Sequence, residues 1–437
     1  MFFKIHRGTK EIGGSCVEVW TDNTRIVIDF GMPLVDKDGK DFDFNKYQSL
    51  SVSELIGLGV LPDIKGLYSD ESRLVDGIVI SHAHQDHYGF IRFIHKNCAC
   101  FMGEATHKII ELSNLFAPDK LTIKNCVYFQ KETPFRIGDF TITPYWADHS
   151  AFDAYSFLVE ANGKSLFYSG DFRAHGRKAK VFKWFTHNAP KDVDCLLLEG
   201  TSVGRSSHNF QSEKEIEEKL IELFNEQGKI NLIYTSGQNI DRLVSVYKAC
   251  IRTNKIMAVD VYVAIVLKEL SKFAEIPYPS KKYPDIKVIF PQYVSQNLTQ
   301  QGKENMLYQF RSKKITKGEI SKKPEDYVIL VRPSLKEYLD GIANLTGGNF
   351  IYSLWEGYLS KGATKDFVDY LTALNFTLHK VHTSGHADIS TLQQMVNAIN
   401  PKYIFPIHTF RGEDYQKLFS QPVIRPKDGE VIMIVEN

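Results

Sequence analysis

The short apolar run Gly77-Ile78-Val79-Ile80 leads directly into Ser81-His82-Ala83-His84-Gln85-Asp86-His87, an H-x-H-x-D-H cluster. The apolar, β-branched run reads as a buried strand. The stretch Tyr88 to Ile94 reads as the start of a helix. Three imidazoles and a carboxylate packed this tightly suit zinc and neighbouring divalent metals. The donors therefore sit on the turn leaving a strand, where ligands bind in α/β sheets. One turn supplies at most half of a two-metal centre. The fold must bring further donors to the same edge from other strands.

Candidates for those donors repeat the same context. Asp29 closes the buried-type strand Arg25 to Gly31, and His149 lies in Trp146-Ala147-Asp148-His149-Ser150. Asp171 ends Phe167-Tyr168-Ser169-Gly170-Asp171, and Glu199 ends Leu196-Leu197-Leu198-Glu199. His386 lies in Thr383-Ser384-Gly385-His386-Ala387, and His408 follows Phe405-Pro406-Ile407. Each is a polar residue after or near an apolar run. Singly they are weak signals; together they make a coherent donor set.

At 437 residues the chain exceeds the size of one simple core, so two domains are expected. Residues 1–200 are strand-rich, with strands at Cys16–Trp20, Phe140–Pro144, Ala154–Val159, Ser165–Tyr168 and Asp194–Leu198. After Gly200 strands alternate with helices. Ser212 to Glu226 reads as an amphipathic helix with Ser212 as N-cap and Glu215 at the capping-box position. Asn239 to Ile251 reads as another helix, with strands at Lys229–Tyr234, Lys255–Val259, Asp326–Val331 and Asn349–Ser353. This texture predicts a separate α/β domain with a parallel sheet at 201–355; the segment 356–437 returns to the first style, with strands at Leu378–Thr383 and Lys402–Ile407. The polar stretch 36–76 reads as a surface excursion.

The formal net charge of +1 gives no global basic excess, so any nucleic-acid contact must use a local basic surface. The N-terminus lacks a signal-peptide apolar region and no run reaches transmembrane length. The six scattered cysteines read as reduced thiols, and a cytoplasmic location is expected, with no membrane partner.

The order H-x-H-x-D-H, then His149, then S-G-D at Asp171 resembles the metallo-β-lactamase fold. Glu199 in L-E-G-T, His386 in S-G-H-A and His408 in P-I-H-T resemble the further motifs of the β-CASP nucleases, and among these the bacterial ribonuclease J group. The resemblance runs from Gly13-Gly14 to about Arg411. It implies an αββα sandwich interrupted by an inserted α/β β-CASP domain. It implies one metal at His82, His84 and His149, a second at Asp86, His87 and His408, and Asp171 between them. Zinc is the expected ion and manganese the alternative. Asp29 would orient the His turn from behind. A hydroxide activated by both metals would hydrolyse phosphodiesters of single-stranded RNA, as endonuclease, 5′–3′ exonuclease or both. His386 would stabilise the transition state or protonate the leaving oxygen, with Glu199 orienting it. The RNA-active relatives tend to carry His at the position of His408. A β-CASP nuclease acting on DNA and a non-nuclease hydrolase of the same fold are the alternatives. The chain ends 29 residues after His408, short of the group's usual C-terminal domain, which leaves a homodimer as one expectation among others.

Substrate contacts are expected at two places. Arg173, Arg177, Lys178, Lys180 and Lys183 follow Asp171 closely. They suit either phosphate contact or a solvated loop. Ser236 and Asn239 precede a helix containing Arg242, and helix N-termini bind phosphate. With Ser384 and His386 they form a candidate phosphate pocket.

Overall fold

The computed structural model describes residues 1–435 except 37, 71, 118–119 and 206–209. Two sheets pack face to face. The first has seven strands: Phe2–Arg7, Cys16–Trp20, Arg25–Ile28, Gly77–Val79, Ala99–Met102 and Cys126–Tyr128, with Val431–Met433 on the outer side of the first. The second has six: Phe135–Ile137, Phe140–Ala147, Ala154–Ala161, Lys164–Tyr168, Cys195–Glu199 and Tyr403–Ile407. Side-chain alternation explains the sandwich. Phe3, Ile5, Val17, Val19, Ile26 and Ile28 point inward to meet Phe140, Ile142, Phe157, Leu166, Leu197 and Phe405. The opposite face of the second sheet (Phe167, Leu196, Leu198) is covered by helices Ala179–Asn188 and Ile389–Ile399. The opposite face of the first sheet (Val27, Ile78, Cys100) is covered by helices Val52–Gly57 and Glu104–Ser113. These are the expected αββα layers.

A third sheet of six strands is parallel throughout and lies in the order Ile286–Ile289, Ile256–Asp260, Tyr327–Val331, Asn231–Tyr234, Gly348–Tyr352, Phe376–Lys380. Its inner strands are buried on both faces, Leu232 toward one core and Ile233 toward the other, while the edge strand Phe376–Lys380 is largely exposed. Helices Glu213–Phe224 and Ile240–Arg252 cover one face and Gly362–Ala373 the other. The expected boundary at 355 is displaced: the strand expected at Leu378–Thr383 in the return segment runs Phe376–Lys380 and pairs with Gly348–Tyr352. The chain re-enters the sandwich only after it. A strand buried on one face looks alike in either sheet, so pairing was invisible to local pattern.

Cap chemistry matches expectation in part. The Ser212 side chain accepts from the Glu215 amide, but the Glu215 carboxylate turns to the Gln211 amide, 2.8 Å away. Asn239 caps the next helix through the Arg242 amide. The six cysteines are free thiols. No helix among the described residues is long and apolar enough to cross a membrane.

Candidate metal centre

All the expected donors leave the carboxyl ends of sandwich strands or lie in loops packed against them. Strand Gly77–Val79 feeds the H-x-H-x-D-H turn, but the helical turn begins earlier than the sequence pattern indicated. Gln85–Tyr88 is helical, so Asp86 and His87 project from it while His84 is its N-cap. His149 follows strand Phe140–Ala147, Asp171 follows Lys164–Tyr168, and Glu199 ends Cys195–Glu199. His408 follows Tyr403–Ile407 in a left-handed conformation, φ 55°.

Among the described residues the donors gather into three groups, each with its ligand atoms within 4.8 Å of one another: His82, His84 and His149; Asp86, His87, Asp171 and His408; and Asp171, Glu199, His386 and His408. The second and third groups share Asp171 and His408. The buried atoms His82 Nε2, His87 Nε2, both Asp171 carboxylate oxygens and His386 Nδ1 have no hydrogen-bond partner. His87 Nε2 and Asp171 Oδ2 are 3.2 Å apart but not aligned to bond. Desolvated polar atoms left unpaired are costly, and converging lone pairs are what a cation satisfies. The residues present therefore fit divalent metal.

Supporting contacts fix which nitrogen faces inward. Asp29 is fully buried at φ 57°. Its Oδ1 accepts from the Ser81 amide, and its Oδ2 accepts from Ser81 Oγ, His87 Nδ1 and Tyr168 Oη, each at 2.7 Å. Donating Nδ1–H to Asp29 leaves His87 Nε2 free as a ligand atom. His149 Nδ1 donates to the Gly385 carbonyl at 2.6 Å, leaving its Nε2 3.3 Å from His84 Nδ1. His408 Nδ1 bonds to Thr201 Oγ1 at 2.8 Å and its Nε2 lies 3.3 Å from Asp86 Oδ2. The ligand turn is also stitched to residues 30–32: Phe30 donates to the His87 carbonyl and Met32 to that of Gln85.

Electrostatics separate the two ligand groups. Burial, reinforced by neighbouring imidazoles, holds His82 and His149 well below the ordinary imidazole range and keeps them neutral, the state that binds metal. Around His87 burial works the same way, but Asp171, Asp29 and Asp86 outweigh it and hold it well above that range. Burial likewise opposes ionised Asp171, yet His408, His87 and His386 keep it well below the carboxylate range. Carboxylates concentrated here call for positive charge. Beside them, burial lowers His386 but the Asp171 and Glu199 carboxylates raise it above the ordinary value.

Glu199 grips the His386 loop more than the ring. Its Oε1 accepts from the Ala387 amide at 3.2 Å and its Oε2 from the Thr201 amide at 2.9 Å. His386 Nδ1 is 3.6 Å from both Glu199 and Asp171.

Two clefts open beside the centre. One, of about 490 Å³, is lined by His386, Ser384, Arg205, Trp355 and Tyr358. The other, of about 910 Å³, is lined by His84, Tyr88, Ser236, Tyr234, Tyr262 and Arg332. Ser236 and Ser384 therefore face clefts. Arg173 and Arg242 do not: both are fully buried. Arg173 spends its donors on Ser384 O, Asp148 and Asp241, and Arg242 on Glu213, Ser353 and Val381 O. Arg177 pairs with Glu217, and Lys178 donates to the carbonyls of His149 and Ala151. Lys180 and Lys183 are exposed. The first three residues of the run are thus committed to partners within the protein, because an arginine in a charge run gives no sign in sequence of the distant carboxylates it meets. Asn239 is committed to capping its helix. Asp148, His175, Ser81, Tyr168 and Thr201 support the site without having been singled out by pattern. Their signal was adjacency to a predicted ligand or strand end.

Similarity to known proteins agrees with this geometry. Residues 64–233 match the beta-lactamase superfamily domain, and residues 373–419 match the Zn-dependent metallo-hydrolase RNA specificity domain. The chain is 26% identical to ribonuclease J of Helicobacter pylori across 92% of its own length and 55% of that protein. It is 24% identical to ribonuclease J of Mycoplasma genitalium, covering 92% and 66%. It therefore spans about half to two thirds of these relatives. A crystal structure of a protein of unknown function from Enterococcus faecalis V583 superposes with TM-score 0.75 at 20% identity, over 99% of both chains. Fold and donor set together define a metallo-β-lactamase-like sandwich with a candidate metal site and an added α/β domain. Within that class the chain is similar to the ribonuclease J proteins.

Proposed function

We propose that the protein hydrolyses phosphodiester bonds of single-stranded RNA with two divalent metal ions. The observation that carries this reading is the placement of His386 and Glu199 against Asp171, directly beside two groups of candidate metal donors. One ion would be held by His82, His84 and His149, the other by Asp86, His87 and His408, with Asp171 between them. The histidine-rich donors favour zinc; the carboxylates also suit manganese. When bound, the ions supply Lewis acidity and an activated water for attack at phosphorus.

The chain's own residues do the rest. Asp29 and Gly385 O hold the rings of His87 and His149 in one tautomer and Thr201 orients that of His408, so the centre is organised before substrate arrives. His386 lies against Asp171 and Glu199, lines the smaller cleft and is aimed to stabilise developing charge or to give its proton to the departing oxygen. Trp355 and Tyr358 in the smaller cleft and tyrosines in the larger one suit stacking of unpaired bases. Ser236 and Ser384 offer hydroxyls for backbone phosphates. RNA rather than DNA is favoured by the names of the relatives and of the matched RNA specificity domain.

The test is cleavage of matched single-stranded RNA and DNA by metal-loaded protein, with RNA bearing 5′-monophosphate, 5′-triphosphate or 5′-hydroxyl ends. Faster RNA cleavage is expected, mononucleotide release marking exonuclease action and internal fragments endonuclease action. Equal cleavage of both polymers would remove the RNA preference. Hydrolysis of simple carboxylic esters alone would place the chain among non-nuclease hydrolases.

A further inference from the structure

We propose that Arg173 is a positioning residue for His386, acting through the Ser384 carbonyl and tying the His386 loop to the third-sheet domain. The inference rests on the reading of His386 as proton donor given above.

The loop Thr383–Ala387 lies between the last strand of the third sheet and helix Ile389–Ile399, and belongs to no sheet. Its backbone must find partners elsewhere. Ser384 O accepts from Arg173 Nη1 and from His175 Nε2, both at 2.9 Å. Gly385 O accepts from the ring of His149, and the Ala387 amide donates to Glu199. The His386 amide donates to Ser384 Oγ at 3.0 Å. Around His386, then, the peptide groups on both sides are anchored, and Ser384 O has two donors converging on it.

Arg173 is also where three parts of the molecule meet. Its Nε reaches Asp148 at 3.4 Å, next to the ligand candidate His149. Its Nη2 reaches Asp241 at 2.6 Å, in the first turn of helix Ile240–Arg252, and its Nη1 lies 3.7 Å from Glu213 on helix Glu213–Phe224. A planar guanidinium can serve these directions at once; an ammonium is a single point donor. The side chain is fully buried, so neither solvent nor substrate competes for it. Asp241 and Glu213 belong to the inserted domain, while Asp148 and Asp171 belong to the sandwich. The imidazole is thereby held in register with both domains through one side chain. A displacement of about 1 Å at a reacting group costs on the order of 10²-fold in rate.

The experiment compares leaving groups. Arg173→Lys and His175→Leu, each loaded with metal, are assayed on single-stranded RNA and on bis(p-nitrophenyl) phosphate, whose nitrophenolate departs without needing a proton. His386→Ala is the reference. For Arg173→Lys we expect kcat on RNA to fall about 10²-fold, with KM little changed and metal content retained. The loss on the activated ester should be far smaller, as for His386→Ala. Because Arg173→Lys risks misfolding, His175→Leu removes the second donor to the same carbonyl and should show the same selectivity to a lesser degree. Selective loss in His386→Ala with equal or no loss on both substrates in the Arg173 and His175 variants overturns the proposal alone. Equal losses in His386→Ala overturn the proton-donor reading itself, as does failure of the unaltered protein to turn over either substrate.

Discussion

Asp29 is the most heavily used single side chain behind the metal centre. It accepts four hydrogen bonds, one of them from the ring of His87. Asp29→Asn would keep the shape but place a donor or a weaker acceptor against His87 Nδ1, freeing the wrong tautomer. Loss of such a supporting partner costs about 10–100-fold in metal affinity. Metal titration of the variant should show that drop, and unchanged affinity would mean His87 does not need its partner. Asp29 and all seven proposed ligands could be singled out in the sequence as candidates, because each sits near a strand end or in a compact motif, and the structure brings the seven donors together. Arg173 and Arg242 were misassigned for the opposite reason. Their meaning lies in Asp241, Glu213 and Ser353, which the sequence places 29 to 111 residues away.

The strand-turn-helix element at residues 77–88 depends on a neighbour as much as on itself. Gly31 packs so closely on the ligand turn that a Cβ there would lie 1.7 Å from the Asp86 carbonyl oxygen. Gly31→Ala must push Asp86 and His87 away, or distort the Phe30 and Met32 contacts that hold them. The expected result is weakened metal binding together with a lower melting temperature. Wild-type behaviour in both would show that the approach is looser than described. Element types were well read from periodicity, and the strands at Asn231–Tyr234 and Tyr403–Ile407 fell where expected. Sheet membership was less legible. Phe376–Lys380 carries a strand pattern but nothing local says that its partner is Gly348–Tyr352.

Across the whole molecule, the two domains are joined by a buried ionic network centred on Glu213, Arg242, Arg173 and Asp241. Burial raises Glu213, but Arg242, Arg173 and the Ser245 hydroxyl outweigh it and bring it from 4.5 to about 2. A depressed carboxyl stabilises the fold in full above its unfolded value and loses that contribution as pH falls through the folded one. The shift corresponds to something on the order of 3 kcal/mol. Thermal melts from about pH 6 to about pH 3 should therefore fall more steeply for the native chain than for Glu213→Gln; parallel slopes would remove Glu213 from the acid response. The donors from both ends of the chain, His82 to His408, converge only because the sandwich closes around the insertion. Stepwise addition of zinc or manganese to metal-stripped protein, followed by cleavage of a single-stranded RNA oligonucleotide, tests that convergence directly. Cleavage should be absent without metal and should rise to its full rate as two ions bind per chain. Full cleavage by the metal-free protein, or none once two ions are bound, would contradict the account.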